Sequence, residues 1–514
     1  MRDEPPVSSA AACLRAKLYS VSARASKGSP AGRALVTTAW AAAGVVLVAL
    51  VLRAAASKGY YWADDYGHLE ISRSAWAHPV WLLDVWGRPL MTLAYMPSAP
   101  WGDGAVRATS LVMFALTGGL CVSIARLQGT RVPVVAGCLL LVQPVAARVA
   151  FSALPYTVFS LVLALGLWLR AAGRHRAAAL MIALLPLARL EGLVVVAAWS
   201  VVTARERRWR DLPLLGVGML AWAAVGAVVH HDLLWIADAN PYGVTSSRYG
   251  AAGWGYFWHA FPIAVGPIVG GLVIAAVALK GLKDSLVATI AVGLIGFYTL
   301  AWGLGWFQTD SVPVYLVTAS VPFALIAHQV VAALSARRAL LRGGGMAVAG
   351  ALAVVAIVVE GRVVDIAVAA VVAGVLAMFL YGRRFPELRL IAVAGIVVMS
   401  AVVGVALTDS LPLNGGALAS KRLASSLGDR ADDVLAWTHP AFGWYAGRTR
   451  DEQFRRFQDA PVGSLVVYDS EYGPAFIKQR RLRRLGFVPV QTEMIGGETV
   501  ALWQRRAGRE PTAR

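Results

Sequence analysis

From residue 34 to residue 407 the chain repeats apolar runs of about 17 to 22 residues, each long enough to cross a hydrocarbon core of about 30 Å as a helix. In lipid every backbone N–H and C=O must be satisfied within its own segment, so runs of this length become helices rather than open strands. With 58% hydrophobic and 15% charged residues the chain is not an ordinary soluble domain. The fold class expected is an α-helical polytopic membrane protein with about thirteen transmembrane helices and a small C-terminal α/β extracytoplasmic domain.

The expected spans are 34–52, 105–125, 133–149, 157–169, two short helices within 177–204, then 212–229, 260–279, 285–304, 314–335, 345–359, 365–381 and 388–407. The segment 177–204 is split because Arg189, Leu190, Glu191 and Gly192 interrupt it and basic residues flank both of its ends. A single crossing would place Arg205 to Arg210 outside, against the rule that short basic loops stay in the cytoplasm. Each half, about 12 residues, rises only about 18 Å, so the turn implies a recessed outer cavity.

A net charge of +19 invites a nucleic-acid reading, but the arginines cluster between spans, at Arg170, Arg174 and Arg176, at Arg205 to Arg210, at Arg337, Arg338 and Arg342, and at Arg383 and Arg384. Clusters of this kind report orientation and attract anionic headgroups, so no polynucleotide partner is implied. Residues 1–33 read as a disordered cytoplasmic tail, and the first span as an uncleaved anchor. An odd number of spans leaves the amino terminus inside and residues 408–514 outside; residues 34–407 form the membrane domain, with an outer loop over 58–104. Cys13, Cys121 and Cys138 have no metal-ligand spacing, and no disulfide or cysteine-held metal is expected.

The stretch 60–101 lies between two spans yet holds Asp64 and Asp65, two histidines, two arginines and five tryptophans. A short amphipathic helix over about 66–77 would set Asp64, Asp65, His68 and Ser72 on one side and turn Leu69 and Trp76 to lipid or protein. Two readings of the acidic pair are open. Asp is a favoured N-cap that suits the helix dipole; a carboxylate pair at the mouth of a membrane cavity also suits proton abstraction from a hydroxyl. Either carboxylate offers hard oxygens to a divalent cation, Mg or Mn, though nothing in the sequence demands a metal. Arg88 can hold a phosphate through paired hydrogen bonds or simply reach a headgroup. Trp62 and the other tryptophans suit an interfacial belt, with one or two stacking on a substrate.

Arg189 and Glu191 are the most anomalous ionisable residues within a span, and pairing to stabilise their turn is the structural reading. The loop with Asn240, Tyr242, Ser246, Arg248 and Tyr249 has the groups of a polar-ligand site and equally of a plain turn. In the tail, 434–438, 464–468, 488–492 and 499–503 read as strands and 476–485 as a basic helix.

Taken together, the acidic pair of the first outer loop, a surface helix, Arg88-Pro89-Leu90 and the terminal outer domain resemble the GT-C superfamily of membrane glycosyltransferases. The branch resembled is that of protein O-mannosyltransferases and aminoarabinose–lipid A transferases. Asp64-Asp65 matches the acidic pair of that branch. Arg88-Pro89-Leu90 stands where Lys-Pro-Pro-Leu would, and Arg189-Leu190-Glu191-Gly192 looks like its Arg-Pro-Glu-Gly turn without the proline. Thr438-His439-Pro440 and Tyr468-Asp469-Ser470-Glu471-Tyr472-Gly473 resemble segments of bacterial members.

The resemblance implies inverting transfer of a sugar from a polyprenyl-phosphate donor to a hydroxyl of a glycan, lipid or protein, at the outer face of a bacterial cytoplasmic membrane. Asp64 would be the base, with Asp65 second. Arg88, Arg248 and Arg189 would meet the donor phosphate, and His68, Glu191, Tyr242, Tyr249 and Trp62 the substrates. The rival readings are a transporter or flippase of lipid-linked saccharides and a non-catalytic glycolipid binder.

Overall fold

A computed structural model describes residues 30–239, 253–278, 285–304, 313–335, 362–381, 387–449 and 460–507. The expected span 345–359 and the residues Tyr242, Arg248 and Tyr249 lie outside them. The chain divides into two compact units, one gathering Arg53–Ser110, Phe151–Leu154 and Ser410–Arg514, the other taking the remainder.

The larger unit is helical. Across the described residues of the chain, five helices are long and apolar enough to span a membrane: Arg33–Ala56, Asp103–Leu127, Trp209–His230, Leu286–Gly303 and Pro313–Leu334. Two expected spans are not continuous helices. The stretch 133–149 breaks into Val134–Leu141 and Pro144–Val149, because Pro144 has no N–H with which to continue the first helix. The stretch 260–279 becomes Tyr256–Val265 and Pro267–Val277, bent by 120°. Gly266, at φ +81° before Pro267, supplies a backbone conformation that a side chain would strain.

The segment 177–204 breaks at 189–191 as its charges suggest, but its first half is itself two helices, His175–Ile182 and Leu185–Ala188, before Gly192–Arg205. A Cβ on Gly192 would run into the backbone of Leu185 and Pro186, so the chain reverses tightly there and only glycine fits.

The smaller unit joins the stretch Arg53–Ser110 to the tail. Helix α1, Ala63–Ala77, starts three residues earlier than the sequence pattern suggests and is buried on almost all sides. Leu69, Ile71, Asp65 and Ser72 are each at 0% exposure, and only its last residues, from Trp76, face outward. It is therefore an interior helix of this unit, not a one-sided surface helix. Helix α2, Pro89–Tyr95, follows, and the tail supplies α3, Gly415–Leu427, and α4, Pro440–Tyr445.

The tail strands are β1, Val434–Trp437; β2, Leu465–Asp469; β3, Phe487–Ile495; and β4, Glu498–Arg505. Their order is β1-β2-β4-β3, with β1 and β2 parallel and the other pairs antiparallel. Gly496 and Gly497, both at positive φ, close the two-residue β3–β4 hairpin. Val434, Val467, Val500, Leu423 and Phe442 form one core of this region, and Val466, Leu482, Phe487 and Trp503 another. The carboxyl ends of β1 and β2 and the start of β4 fall at one edge of the sheet, which brings His439, Glu471 and Glu498 to the same place.

Candidate active site

The amino end of α1 divides its two carboxylates. Asp65, fully buried, accepts three hydrogen bonds: Trp62 N–H to Oδ2 at 2.8 Å, and Ser152 Oγ and Ala153 N–H to Oδ1 at 2.5 Å each. The first of these closes the reciprocal half of a capping box. Ser152 Oγ in turn accepts from Tyr61 N–H at 2.9 Å. Burial pushes the Asp65 carboxyl up to about 7, against the lowering effect of the bonds from Ser152, Trp62 and Ala153. A base must reach the proton it takes, and Asp65 is 0% exposed.

Asp64 precedes it on the helix and is half-buried. Its charge acts on the edge of the sheet. Glu471 is raised by burial first, then by Glu498, with Asp469 and Asp64 adding; Tyr472 is raised by burial and then by Asp64. One carboxylate of the pair thus fixes the helix end, and the other faces a polar group made by the tail.

That group was not among the candidate residues read from sequence. His439 follows β1, is 0% exposed, and caps α4 by accepting Ala441 N–H at Nδ1, 3.2 Å away. Its ring meets Tyr472 edge-on at 5.5 Å. The turn bearing Glu471 is organised by Asp469, which accepts from Glu471 N–H at 2.9 Å, from Tyr472 N–H at 2.6 Å and from the Thr438 hydroxyl. Ser470 locks the turn to β4 through its N–H to Thr499 O, 2.9 Å, and Thr499 N–H to its Oγ, 3.0 Å. Glu498 accepts from Gly416 N–H at the start of α3. The ligand-capable atoms of His439, Glu471 and Glu498 lie within 4.8 Å of one another. The sequence signal for His439 and Glu471 lies in the His439-Pro440 and Asp469-to-Gly473 segments; Glu498 carries none.

Elsewhere in this unit, His68 stacks on Trp86 with ring centroids 4.3 Å apart and planes at 13°. Trp62 is half-buried and is the N-cap residue of α1. Arg88, 6% exposed, caps α2 with φ 62° and ψ 103°, a sparsely populated conformation for a residue with a Cβ. Its neighbours hold it: Gly87 N–H donates to Asp84 Oδ1 at 2.5 Å, and Thr92 Oγ1 donates to Gly87 O at 3.0 Å. Glu70, another buried carboxylate that sequence reading passed over, accepts from Trp437 Nε1 at 2.9 Å.

Arg189 and Glu191 belong to the larger unit. They pair at 2.6 Å, both buried, with the guanidinium 4.1 Å from the Tyr156 ring centroid and 5.3 Å from that of Tyr315. Cys121 and Cys138 are free and buried.

No protein-family model matches the chain, and no curated protein matches it in sequence. Two solved structures match in fold. The crystal structure of ArnT from Cupriavidus metallidurans bound to undecaprenyl phosphate superposes with a TM-score of 0.56 and 14% identity, covering 89% of this chain and 96% of that one. The apo structure of the same protein gives a TM-score of 0.53 and 14% identity, over 91% and 98%. The fold of nearly the whole chain is therefore shared with these two structures.

Proposed function

We propose that this chain is an inverting glycosyltransferase that moves a sugar from a polyprenyl-phosphate donor to an acceptor hydroxyl of a glycan, lipid or protein, at the outer face of a bacterial cytoplasmic membrane. In this reading about thirteen spans carry the chain across, the amino terminus is cytoplasmic, and residues 408–514 form the outer domain. The observation that carries the proposal is the division within the acidic pair. Asp65 is fully engaged in fixing the helix end, which leaves Asp64, half-buried on that rigid turn, as the carboxylate able to meet a hydroxyl. Support comes from a fold shared with a protein whose crystal structure holds undecaprenyl phosphate.

In the reaction Asp64 takes the acceptor proton as the hydroxyl oxygen bonds to the anomeric carbon. The bond from that carbon to the phosphate oxygen breaks, and polyprenyl phosphate departs with the electron pair. A guanidinium beside the departing phosphate stabilises its growing charge. Arg88 is the residue proposed for it, with Arg248 and Arg189 as further candidates. His68, Glu191, Tyr242, Tyr249 and Trp62 are proposed on the substrate side.

The test is transfer of radiolabel from a panel of polyprenyl-phosphate sugars by the purified protein and by its Asp64→Asn and Asp65→Asn forms. Asp64→Asn is expected to lower turnover by about 10²- to 10⁴-fold while donor binding and thermal stability are unchanged. Full activity in that variant, or movement of lipid-linked sugar across vesicles without transfer, would overturn the assignment.

A further inference from the structure

The edge of the sheet where His439, Glu471 and Glu498 meet has a feature that sugar transfer by Asp64 does not use. His439 is 0% exposed, and among the described residues its Nε2 has no hydrogen-bond partner. A buried polar atom left in this state is uncommon and calls for a partner. Nε2 and Glu498 share one space: a Cβ on Gly416 would lie 2.7 Å from Nε2 and would collide with Glu498 Oε2, so both atoms border the room that this glycine leaves open.

The spacing suits one shared atom. With three ligand atoms no more than 4.8 Å apart, some point lies within about 2.8 Å of all three, the 4.8 Å limit divided by √3. Glu471 is exposed and Glu498 partly so, so their carboxylates can move inward by the roughly 0.6–0.8 Å that separates this from metal–ligand distances of about 2.0–2.2 Å. Carboxylates only accept hydrogen bonds, and two of them brought together beside Asp64 favour a positive charge at their centre. A ring nitrogen beside them favours a metal ion over an ammonium group, because a lone pair at Nε2 can bond to the former directly. In the metal-free protein Nδ1 accepts from Ala441 N–H at 3.2 Å, so Nε2 carries the proton; cation binding therefore moves that proton to Nδ1 and breaks this one bond, which is at the long end of the range.

We propose that His439, Glu471 and Glu498 bind a divalent cation of borderline character, Zn²⁺ or Mn²⁺, with water completing its shell. One imidazole and two carboxylates suit these ions better than a soft metal, and better than an all-oxygen Ca²⁺ site. The site ties the carboxyl ends of β1 and β2 to the start of β4. Bound there, the cation lowers the repulsion between Glu471 and Asp64 and holds the turn that faces the proposed base.

The test uses the full-length, untagged protein in detergent, stripped with a chelator and equilibrated with ZnCl₂ or MnCl₂. Bound metal is counted by mass spectrometry and thermal unfolding is followed in parallel. Expected are one ion per chain, a higher Tm with metal, and affinity lowered at least tenfold in both Glu471→Gln and His439→Asn. Asn keeps an oxygen able to cap α4, so loss of metal in His439→Asn is separable from loss of the fold. No retained ion, or equal binding by the variants, overturns the site; so does binding of Mg²⁺ or Ca²⁺ alone that His439→Asn leaves unchanged. Neither readout depends on sugar transfer, so the site and the transferase reading can fail separately.

Discussion

The two units bury charge in different ways. In the larger unit, where most of the apolar helices lie, Arg189 and Glu191 neutralise one another at 2.6 Å and the guanidinium rests against tyrosine rings. In the smaller unit Asp65 is buried with no cation among its partners in the described residues; a hydroxyl and two backbone N–H groups hold it. The contrast follows from what each surrounding can offer. At the break between Leu185–Ala188 and Gly192–Arg205 the buried guanidinium has only acceptors to satisfy it, and Glu191, two residues on, supplies a charged one. At Asp65 the donors are the N–H of the N-cap residue Trp62 and, from a distant segment, the Ser152 hydroxyl and the Ala153 N–H.

The largest effect expected from this contrast is on the ion pair. Glu191→Gln leaves the Arg189 guanidinium buried without its counter-charge and should destabilise the protein by about 3–5 kcal/mol. Replacing both, as Arg189→Leu with Glu191→Leu, should be near neutral, since the pair's attraction only offsets its desolvation. Thermal unfolding of both forms in detergent checks this. Equal stability of Glu191→Gln and the parent would break the comparison. A stable double variant without transferase activity would sharpen it, by giving Arg189 a role toward substrate.

A smaller effect is expected at Asp65. Asn in its place turns one acceptor into an N–H donor that faces either Trp62 N–H or the Ser152 and Ala153 pair, a loss of about 1–3 kcal/mol. The pH dependence carries the sign of its raised pKa. Between its ordinary value of 3.8 and about 7, the folded protein keeps a proton that the unfolded chain has lost, so stability falls as pH rises through that window and levels off above it. Unfolding followed from pH 4.5 to pH 7.5 should show this decline in the parent and a flatter profile in Asp65→Asn. An identical slope in both would assign the pH response to other groups.

Much of this was legible in the sequence, and the reason is locality. The four strands fall where apolar residues cluster between turn residues, and the break at Arg189 follows from charges in an apolar run. The helix start at Ala63 was missed by three residues because Asp65 satisfies Trp62 from inside the helix. What was not legible depends on distant partners. Nothing near Asp65 announces Ser152 and Ala153, and nothing near Glu70 announces Trp437. The acidic pair therefore presented two readings that sequence could not separate. The structure assigns the capping one to Asp65 through residues almost ninety positions away, a span that local pattern does not reach.

Arg88 adds a third way of placing a charge, by backbone strain, and carries the smallest effect. The proline that follows keeps its ψ extended, at 103°, while the turn out of Gly87 sets φ at 62°. A Cβ in that region costs about 1–2 kcal/mol, and glycine avoids the cost. Arg88→Ala and Arg88→Gly both delete the guanidinium, so their comparison isolates the backbone: the glycine form should be the more stable by about 1–2 kcal/mol. Donor affinity, followed by binding of a polyprenyl phosphate, should fall equally in both, because neither keeps a group for the phosphate. Were the alanine form as stable as the glycine form, the conformation would carry no strain and Arg88 would be an ordinary cap. Were stability to differ as expected while donor binding stayed at the parent level, the strain would be real but would serve the turn between Gly87 and Pro89, and the phosphate contact would have to come from another arginine.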